Sequence, residues 1–182
     1  MHSGIRTEND HMDIFAAIAF TSVSSRKEGM NNILRALSEL KGSSILYCSK
    51  SYTDGTECAA VSNAPISCDI ADTGRFDVLA RPNKLLFYTD KATAESILSS
   101  EMPTYQAARL WTRKECIFKM FNVRNPFPAS ALYNDKDEII ISDKKILTYR
   151  PGNSTVLSVM VPAEVSDIRI YELKGGRLYE KI

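Results

Sequence analysis

Two segments with the same order of elements, a strand, then a helical region, then further strands, constrain the fold of this chain most strongly. Apolar runs and helical periodicity define the elements, and turn residues separate them. The predicted strands are residues 13–20, 44–48, 57–61, 65–70, 138–142, 146–150, 155–161, 167–173 and 177–181, and the predicted helices are residues 26–40, 89–98 and 103–121. Strands separated by long helices, without strict strand–helix–strand alternation, are typical of an α+β fold with antiparallel sheets.

The repeat of this order on either side of Pro65 predicts two similar halves in one compact unit. Residues 1–12 are polar and patternless, and we expect them to be a disordered leader. Residues 13–64 are predicted to form an N-terminal α+β half, and residues 65–182 a C-terminal α+β half. A chain of 182 residues can bury a core without metal or disulfide staples.

Charge, cysteine spacing and hydropathy argue against several functional classes. The formal net charge is +1, whereas nonspecific binding to nucleic acid needs an excess of Lys and Arg on one face. The four cysteines include no CxxC pair, so we expect reduced thiols in a cytoplasmic protein. No apolar run approaches the roughly 20 residues that a membrane span needs. We therefore expect neither nucleic acid nor a membrane as a partner.

The helical pattern at residues 103–121 contains the most informative charged residues. Its predicted apolar face consists of Ala107, Leu110, Trp111, Ile117, Phe118 and Phe121. Lys114 falls near the middle of this face, where an ammonium needs an anion or a path to water. Glu115 and Lys119 are four residues apart on its flank, so an ordinary helix pair worth about 0.2–0.5 kcal/mol is one interpretation. The other interpretation is that these charged residues form a ligand-binding site at the edge of the apolar face.

The strand at residues 65–70 supplies a second candidate, the carboxylate of Asp69. Alternation along the strand places Ile66, Cys68 and Ile70 on one face and Ser67, Asp69 and Ala71 on the other. Asp69 is suited either to bind a metal ion or to cap the turn at Asp72-Thr73-Gly74. The combination of a strand-borne Asp with a helix-borne Lys-Glu favours a functional site.

Together the two segments resemble the signatures of the 4′-phosphopantetheinyl transferase superfamily, specifically the type that activates surfactin synthetase. The helical signature is Trp/Phe-Ser/Thr/Cys-x-Lys-Glu-Ala/Ser-x-x-Lys. This chain matches it at Trp111, Thr112, Lys114, Glu115 and Lys119, with Cys116 at the Ala/Ser position. The strand signature, Gly-x-Asp-x-Glu, is matched at Asp69 and departs at Ser67 and Ala71.

Two further segments resemble the family less closely. Ser51-Tyr52-Thr53 is similar to a Ser-His-Ser segment that helps to hold coenzyme A, with Tyr52 at the histidine position. The helix with Arg26, Gly29 and Arg35 is similar to an early Arg-x-x-Gly helix. The resemblance implies a fold of two α+β halves related by a pseudo-two-fold axis, with coenzyme A in the cleft between them.

The implied reaction transfers the 4′-phosphopantetheine arm of coenzyme A to a serine of an apo acyl or peptidyl carrier protein, and it releases 3′,5′-ADP. Such carriers serve fatty acid, polyketide or nonribosomal peptide biosynthesis. By resemblance, Asp69 and Glu115 would bind Mg²⁺, and Glu115 would also accept the proton of the carrier serine. Lys119 would be catalytic by neutralising the departing 3′,5′-ADP. The substrate-binding residues implied are Lys114, Lys119, Ser51, Tyr52, Arg26 and Arg35.

Three functions stay open at this point. The first is an active transferase that works as a monomer. The second is a relative that binds coenzyme A or a carrier protein without transfer, which the departures at Ser67, Ala71 and Tyr52 favour. The third is an α+β interaction domain whose charged helix face is solvated.

Overall fold

The predicted strands and the three predicted helices occur in the predicted order, and the structure adds a short helix, Ala129–Leu132. The computed structural model describes residues 14–22, 26–78, 81–124, 126–134 and 136–181, without the side chains of residues 26–28. The predicted leader at residues 1–12 lies outside the described residues. The strands are β1 (Phe15–Ser22), β2 (Tyr47–Thr53), β3 (Thr56–Ser62), β4 (Ser67–Asp72), β5 (Glu138–Ile141), β6 (Lys144–Gly152), β7 (Thr155–Pro162), β8 (Asp167–Lys174) and β9 (Arg177–Glu180). The α-helices are α1 (Arg26–Lys41), α2 (Lys91–Leu98), α3 (Pro103–Phe121) and α4 (Ala129–Leu132).

The strands form two sheets, which confirms the predicted α+β class. The first sheet has the strand order β2-β3-β1-β8-β9, and the second has the order β4-β7-β6-β5. Among the described strand pairs, β1 with β8 is parallel and the others are antiparallel.

The two sheets pack face to face, and each has a helix on its outer face. Apolar residues of β1 and β3 pack against those of β4 and β7 between the sheets. The helix α1 covers the outer face of the first sheet with Ile33 and Leu37. The helix α3 covers the second sheet with Leu110, Cys116 and Ile117. Burial of apolar surface, at about 25 cal/mol per Å², stabilises these layers.

Strands β1–β3 of the first sheet and β4–β7 of the second sheet are connected in the same way. β1 precedes α1 and pairs with β3, whose other neighbour is β2. β4 precedes α2 and α3 and pairs with β7, whose other neighbour is β6. The end of the chain departs from the predicted division at residue 65, because β8 returns to the first sheet and pairs with β1. The sequence predicts β8 and β9 in the second half, whereas they extend the sheet of the first.

The limits of α3 agree with the prediction. It begins at Pro103, where a residue without a backbone N–H suits the first helical turn. It ends at Phe121, and the next residue, Asn122, has the left-handed conformation (φ 54°) common after helix ends. In the part of the chain that the structure describes, no helix combines the length and the apolar character needed to cross a membrane.

The buried face of α3 is centred on Arg109 and Arg113, so the predicted apolar face is only partly correct. Ala107, Leu110 and Ile117 are buried as predicted, whereas Trp111, Phe118 and Phe121 are half-buried or exposed.

Arg113 is 0% exposed. Its guanidinium donates to the carbonyl oxygens of Leu132 (2.6 Å) and Lys136 (2.5 Å) and to Thr148 Oγ1 (3.0 Å). These acceptors belong to α4, to the loop after it and to β6. Burial, together with the neighbouring Arg109, lowers the pKa of Arg113. A buried guanidinium thus joins α3 to the second sheet through neutral oxygen atoms.

Candidate functional site

A cleft of about 920 Å³ lies where the edges of the two sheets meet. Its walls come from β2, β3, β4, α3 and the segment 75–88, with Met30 of α1. Five predicted site residues line it: Ser51, Tyr52, Asp69, Glu115 and Lys119. Side chains that are far apart in sequence therefore meet at one concave surface, which is where ligand sites usually form.

The edge strand β4 is fixed to the edge strand β2 by a row of side-chain hydroxyls, here called the hydroxyl ladder (Ser49, Ser51 and Thr53). Each of these hydroxyls accepts a hydrogen bond from a backbone N–H of β4. The pairs are Cys68 N with Ser49 Oγ (2.9 Å), Ile70 N with Ser51 Oγ (3.2 Å) and Asp72 N with Thr53 Oγ1 (3.2 Å). The ladder satisfies the outward N–H groups of β4, which would otherwise form an open sheet edge.

The faces of β4 agree with the predicted alternation. Cys68 and Ile70 point into the core between the sheets. Asp69 lies on the opposite face, beside α3, and so does Ser67, whose hydroxyl donates to the Cys116 carbonyl oxygen at 2.8 Å. The strand therefore presents one carboxylate to the cleft while its other face stabilises the core.

Asp69 is 6% exposed and is held by two hydrogen bonds that end on the same oxygen, Oδ1. Ser51 Oγ donates at 2.7 Å and Lys119 Nζ at 2.8 Å. Burial raises the pKa of the Asp69 carboxyl, although Lys119 and Ser51 oppose this effect. The turn after β4 is capped by Asp72, which accepts from Gly74 N at 2.7 Å. The capping role considered for Asp69 thus belongs to Asp72.

Lys119 connects α3 to both edge strands. Its ammonium donates to Asp69 Oδ1 (2.8 Å), to the Cys68 carbonyl oxygen (2.8 Å) and to the Lys50 carbonyl oxygen (3.3 Å). Burial disfavours the ammonium, yet the Asp69 carboxylate is close enough to raise the pKa of Lys119. Within the described residues its ion pair is with Asp69, so the interpretation of Glu115 and Lys119 as an ordinary helix pair is not what the structure shows.

Glu115 lies one helical turn before Lys119 on α3, half-buried in the cleft wall. Burial, and after it the negative charge of Asp69, raises the pKa of the Glu115 carboxyl. Two carboxylates of raised pKa in one cleft with a lysine are the kind of group that marks functional sites.

Lys114 is not among the residues that line the cleft, and its ammonium donates to the backbone carbonyl oxygen of Tyr88. Burial lowers the pKa of Lys114. The sequence predicts that this lysine needs an anion or a path to water. The structure gives it a neutral carbonyl partner instead, and its predicted role in phosphate binding stays a prediction.

The remaining predicted ligand-binding residues are distributed differently. Tyr52 is 54% exposed and lines the cleft beside Ser51. Ser51 is buried, and its hydroxyl both donates to Asp69 and accepts from Ile70 N. Arg35 is exposed on α1, bonds to Asn32 at 3.1 Å and is not part of the cleft lining. The side chain of Arg26 lies outside the described residues.

The sequence analysis missed a basic rim of the cleft, formed by the side chains of Lys50, Arg75, Arg81 and Lys84. Three of these residues belong to the segment between β4 and α2, for which the sequence predicts no regular element. The density of basic residues between Gly74 and Tyr88 was the available signal. These basic side chains can contact an anionic ligand, and the same cleft lining also contains the acidic residues Glu57, Asp69, Asp77 and Glu115.

An aromatic wall, formed by Phe76, Tyr88 and Trp111, was also missed as a feature of the cleft. The ring centroids are 6.2 Å apart for Phe76 and Trp111, and 5.7 Å apart for Tyr88 and Trp111. The aromatic wall gives an anionic ligand an apolar surface next to the basic rim. The cleft lining also includes a buried carboxylate, Glu57 of β3.

Asp69 and Glu115, the two carboxylates that the resemblance assigns to Mg²⁺, both line the cleft. The like-charge interaction between them is one that a divalent cation relieves. Across the described residues, no cluster of three or more acidic, His or Cys side chains forms a metal site, and Ala71 offers no side-chain oxygen. Mg²⁺ commonly uses one or two carboxylates and takes its other ligands from phosphates and waters, so two are sufficient.

Replacing Ser51 by alanine is expected to lower the free energy of unfolding by about 1–2 kcal/mol, because a buried N–H and a buried carboxylate each lose a partner. Urea denaturation followed by circular dichroism measures this change. Ser43→Ala, at an exposed position after α1, is the control and is expected to change stability by less than about 0.5 kcal/mol. Equal losses in both variants would contradict the role of the hydroxyl ladder.

Comparison with known proteins identifies no family. No protein-family model matches the chain, and no curated protein sequence matches it. Function is therefore inferred from the cleft itself.

Proposed function

We propose that the protein is a 4′-phosphopantetheinyl transferase that uses coenzyme A and an apo carrier protein. One observation carries the proposal: the strand-borne Asp69 and the helix-borne Glu115 and Lys119 line the same cleft. The helical signature and the partly matched strand signature imply this convergence, and the packing of α3 against β4 brings the three residues together. The shared connectivity of the two sheets supports two halves related by a pseudo-two-fold axis.

The basic rim and the aromatic wall suit the proposed substrate. Coenzyme A combines phosphates with a planar base, and the rim offers cations while the wall offers flat apolar surfaces. Catalysis of phosphoryl transfer is mostly positioning and charge neutralisation. A Mg²⁺ ion held by Asp69 and Glu115 would supply further neutralisation at the diphosphate.

In the proposed reaction, the carrier serine oxygen attacks the phosphorus that bears the pantetheine arm. A new P–O bond forms to serine, and the bond to the bridging oxygen of 3′,5′-ADP breaks. Glu115 accepts the serine proton, because it lies in the cleft wall on the same helix as Lys119. Lys119 stabilises the negative charge of the leaving 3′,5′-ADP.

The second candidate is a protein that binds coenzyme A or a carrier protein without transfer. The observation that favours it is the state of Asp69, whose Oδ1 is already occupied by Ser51 and Lys119. Ala71 also leaves the strand signature without its second acid. In such a protein the cleft would still bind an anionic ligand such as coenzyme A, but it would not catalyse transfer of the arm.

A transfer assay decides between the two. The protein is incubated with Mg²⁺, coenzyme A and a panel of apo acyl and peptidyl carrier proteins, and mass spectrometry detects addition of the arm to the carrier serine. We expect modification of at least one carrier. Measurable binding of coenzyme A with no modification of any carrier would favour the second candidate. Failure to bind coenzyme A or any carrier would reject both.

A further inference from the structure

The ammonium of Lys119 is saturated with hydrogen bonds by the walls of the cleft. It has three donors, and it meets three acceptors: Asp69 Oδ1, the Cys68 carbonyl oxygen and the Lys50 carbonyl oxygen. All three acceptors belong to the edge strands β2 and β4. While this arrangement holds, Lys119 has no donor left for a phosphate group.

The carboxylate of Asp69 is correspondingly occupied at Oδ1. A carboxylate oxygen has about two lone-pair directions, and the hydrogen bonds from Ser51 and Lys119 both end on this atom. A divalent cation at the same carboxylate would also meet the positive charge of Lys119 at close range, where like charges repel strongly. The ammonium and a divalent cation therefore compete for Asp69.

We propose that Lys119 is an internal cation that leaves Asp69 when a divalent cation binds there, and that this exchange frees its ammonium for the anion in the cleft. The direction of release follows from the position of Lys119, which lines the cleft. The inference rests on the proposed function for the identity of the metal ion and the anion. The competition itself rests on the contacts of Lys119 with Asp69.

The exchange allows Asp69 to be paired with a cation both in the metal-free site and in the metal-bound site. Without a metal ion, Lys119 compensates the buried charge of Asp69, which would otherwise be costly. With a metal ion bound, the carboxylate is compensated again and the lysine becomes available. Ser51 keeps its hydrogen bonds to Asp69 and Ile70 N in the unexchanged state and holds the carboxylate in place.

Affinity for Mn²⁺, a probe for divalent cations, tests the competition without any need for transfer activity. The free ion is measured by electron paramagnetic resonance with the full chain. We expect Lys119→Met to bind Mn²⁺ about ten-fold more tightly than the unmodified protein, equivalent to about 1.4 kcal/mol. Asp69→Asn is expected to lose most of the affinity, because it removes the negative charge for which both cations compete.

Lys84→Met is the matched control, because it removes one positive charge from the same cleft at a residue outside the contacts of Asp69. Exposed charges interact weakly through water, so its affinity is expected to rise less than about two-fold. Lys119→Gln, which removes the charge but keeps a donor, replaces the methionine variant if that variant does not fold. Lys119 variants that bind Mn²⁺ no more tightly than Lys84→Met would overturn the exchange, as would absence of Mn²⁺ binding in all proteins.

The outcome is separable from that of the transfer assay. Tighter Mn²⁺ binding in the Lys119 variants, with no carrier modified by the unmodified protein, supports the exchange and rejects the transferase. Transfer by the unmodified protein, with unchanged Mn²⁺ affinity in the variants, supports the transferase and overturns the exchange.

Discussion

Replacing Glu115 by glutamine is expected to slow transfer of the phosphopantetheine arm by about three orders of magnitude. The substitution removes the proposed general base, a loss that typically costs about 10²- to 10⁴-fold, and it also removes one of the two carboxylates assigned to the metal ion. The side chain keeps its size, so the fold is expected to persist. Single-turnover kinetics with saturating coenzyme A, followed by mass spectrometry of the carrier, measure the rate. Transfer at the original rate would remove Glu115 from the mechanism.

The pH dependence gives the same residue a second test. The pKa of Glu115 is raised by burial and by Asp69, so as the pH falls its basic form is lost at a higher pH than that of an ordinary glutamate. In protein without Mg²⁺, the Glu115 carboxyl is therefore expected to titrate above the ordinary glutamate pKa, and NMR titration of the carboxyl carbons should lose this signal in Glu115→Gln. Mg²⁺ bound to Glu115 is expected to shift the titration to lower pH. Glu101→Gln, at an exposed position before α3, is the control and should keep both the rate of transfer and the raised titration of Glu115.

Replacing Arg113 by methionine is expected to lower the free energy of unfolding by about 1–3 kcal/mol. Methionine fills a similar volume but leaves the buried carbonyl oxygen of Leu132 without its donor. The Lys136 carbonyl oxygen and the Thr148 hydroxyl each lose one hydrogen bond, although Arg109 and Ser158 still contact them. Urea denaturation followed by circular dichroism measures the change, provided the variant is folded at zero denaturant.

Lys91→Met is the control for Arg113, since Lys91 is a well-exposed basic residue at the start of α2 and its ion pair with Glu95 spans 3.8 Å on the surface. Its loss is expected to be below about 0.5 kcal/mol. If Arg113→Met were no more destabilising than Lys91→Met, the guanidinium would not be the link between α3 and the second sheet.

Most elements of the fold follow from local sequence, but the burial of two arginines at the centre of the buried face of α3 does not. Pro103 is a signal for the start of a helix, and the Asn125-Pro126 pair is a signal for its end; both can be recognised from the local sequence. Residue type then argues against burying Arg109 and Arg113, since arginine is rarely buried without partners. Their partners are the loop after α4 and residues of β6, many positions later in the chain. Only the tertiary arrangement reveals that these acceptors exist.

The candidate site shows the same limit. The signatures predict which residues converge, and Asp69, Glu115 and Lys119 do line one cleft. The sequence does not predict that Lys119 pairs directly with Asp69, because this depends on the distance between β4 and α3. The hydrogen bonds of Ser51 to Asp69 and to Ile70 N likewise depend on β2 lying beside β4. The alternation Ser49, Ser51, Thr53 was a visible period of two, but nothing local says what it faces.

The parallel pairing of β1 with β8 has a consequence for the order in which the chain folds. β1 can pair with β3 as soon as the first 62 residues are available. Its other edge has no native partner until residues 167–174 have been synthesised. Contacts over such a long sequence separation form slowly, and an exposed strand edge meanwhile can pair with other molecules. β1 is thus synthesised first but is among the last strands to be paired on both edges. Nascent chains that end before β8 are expected to be prone to aggregation.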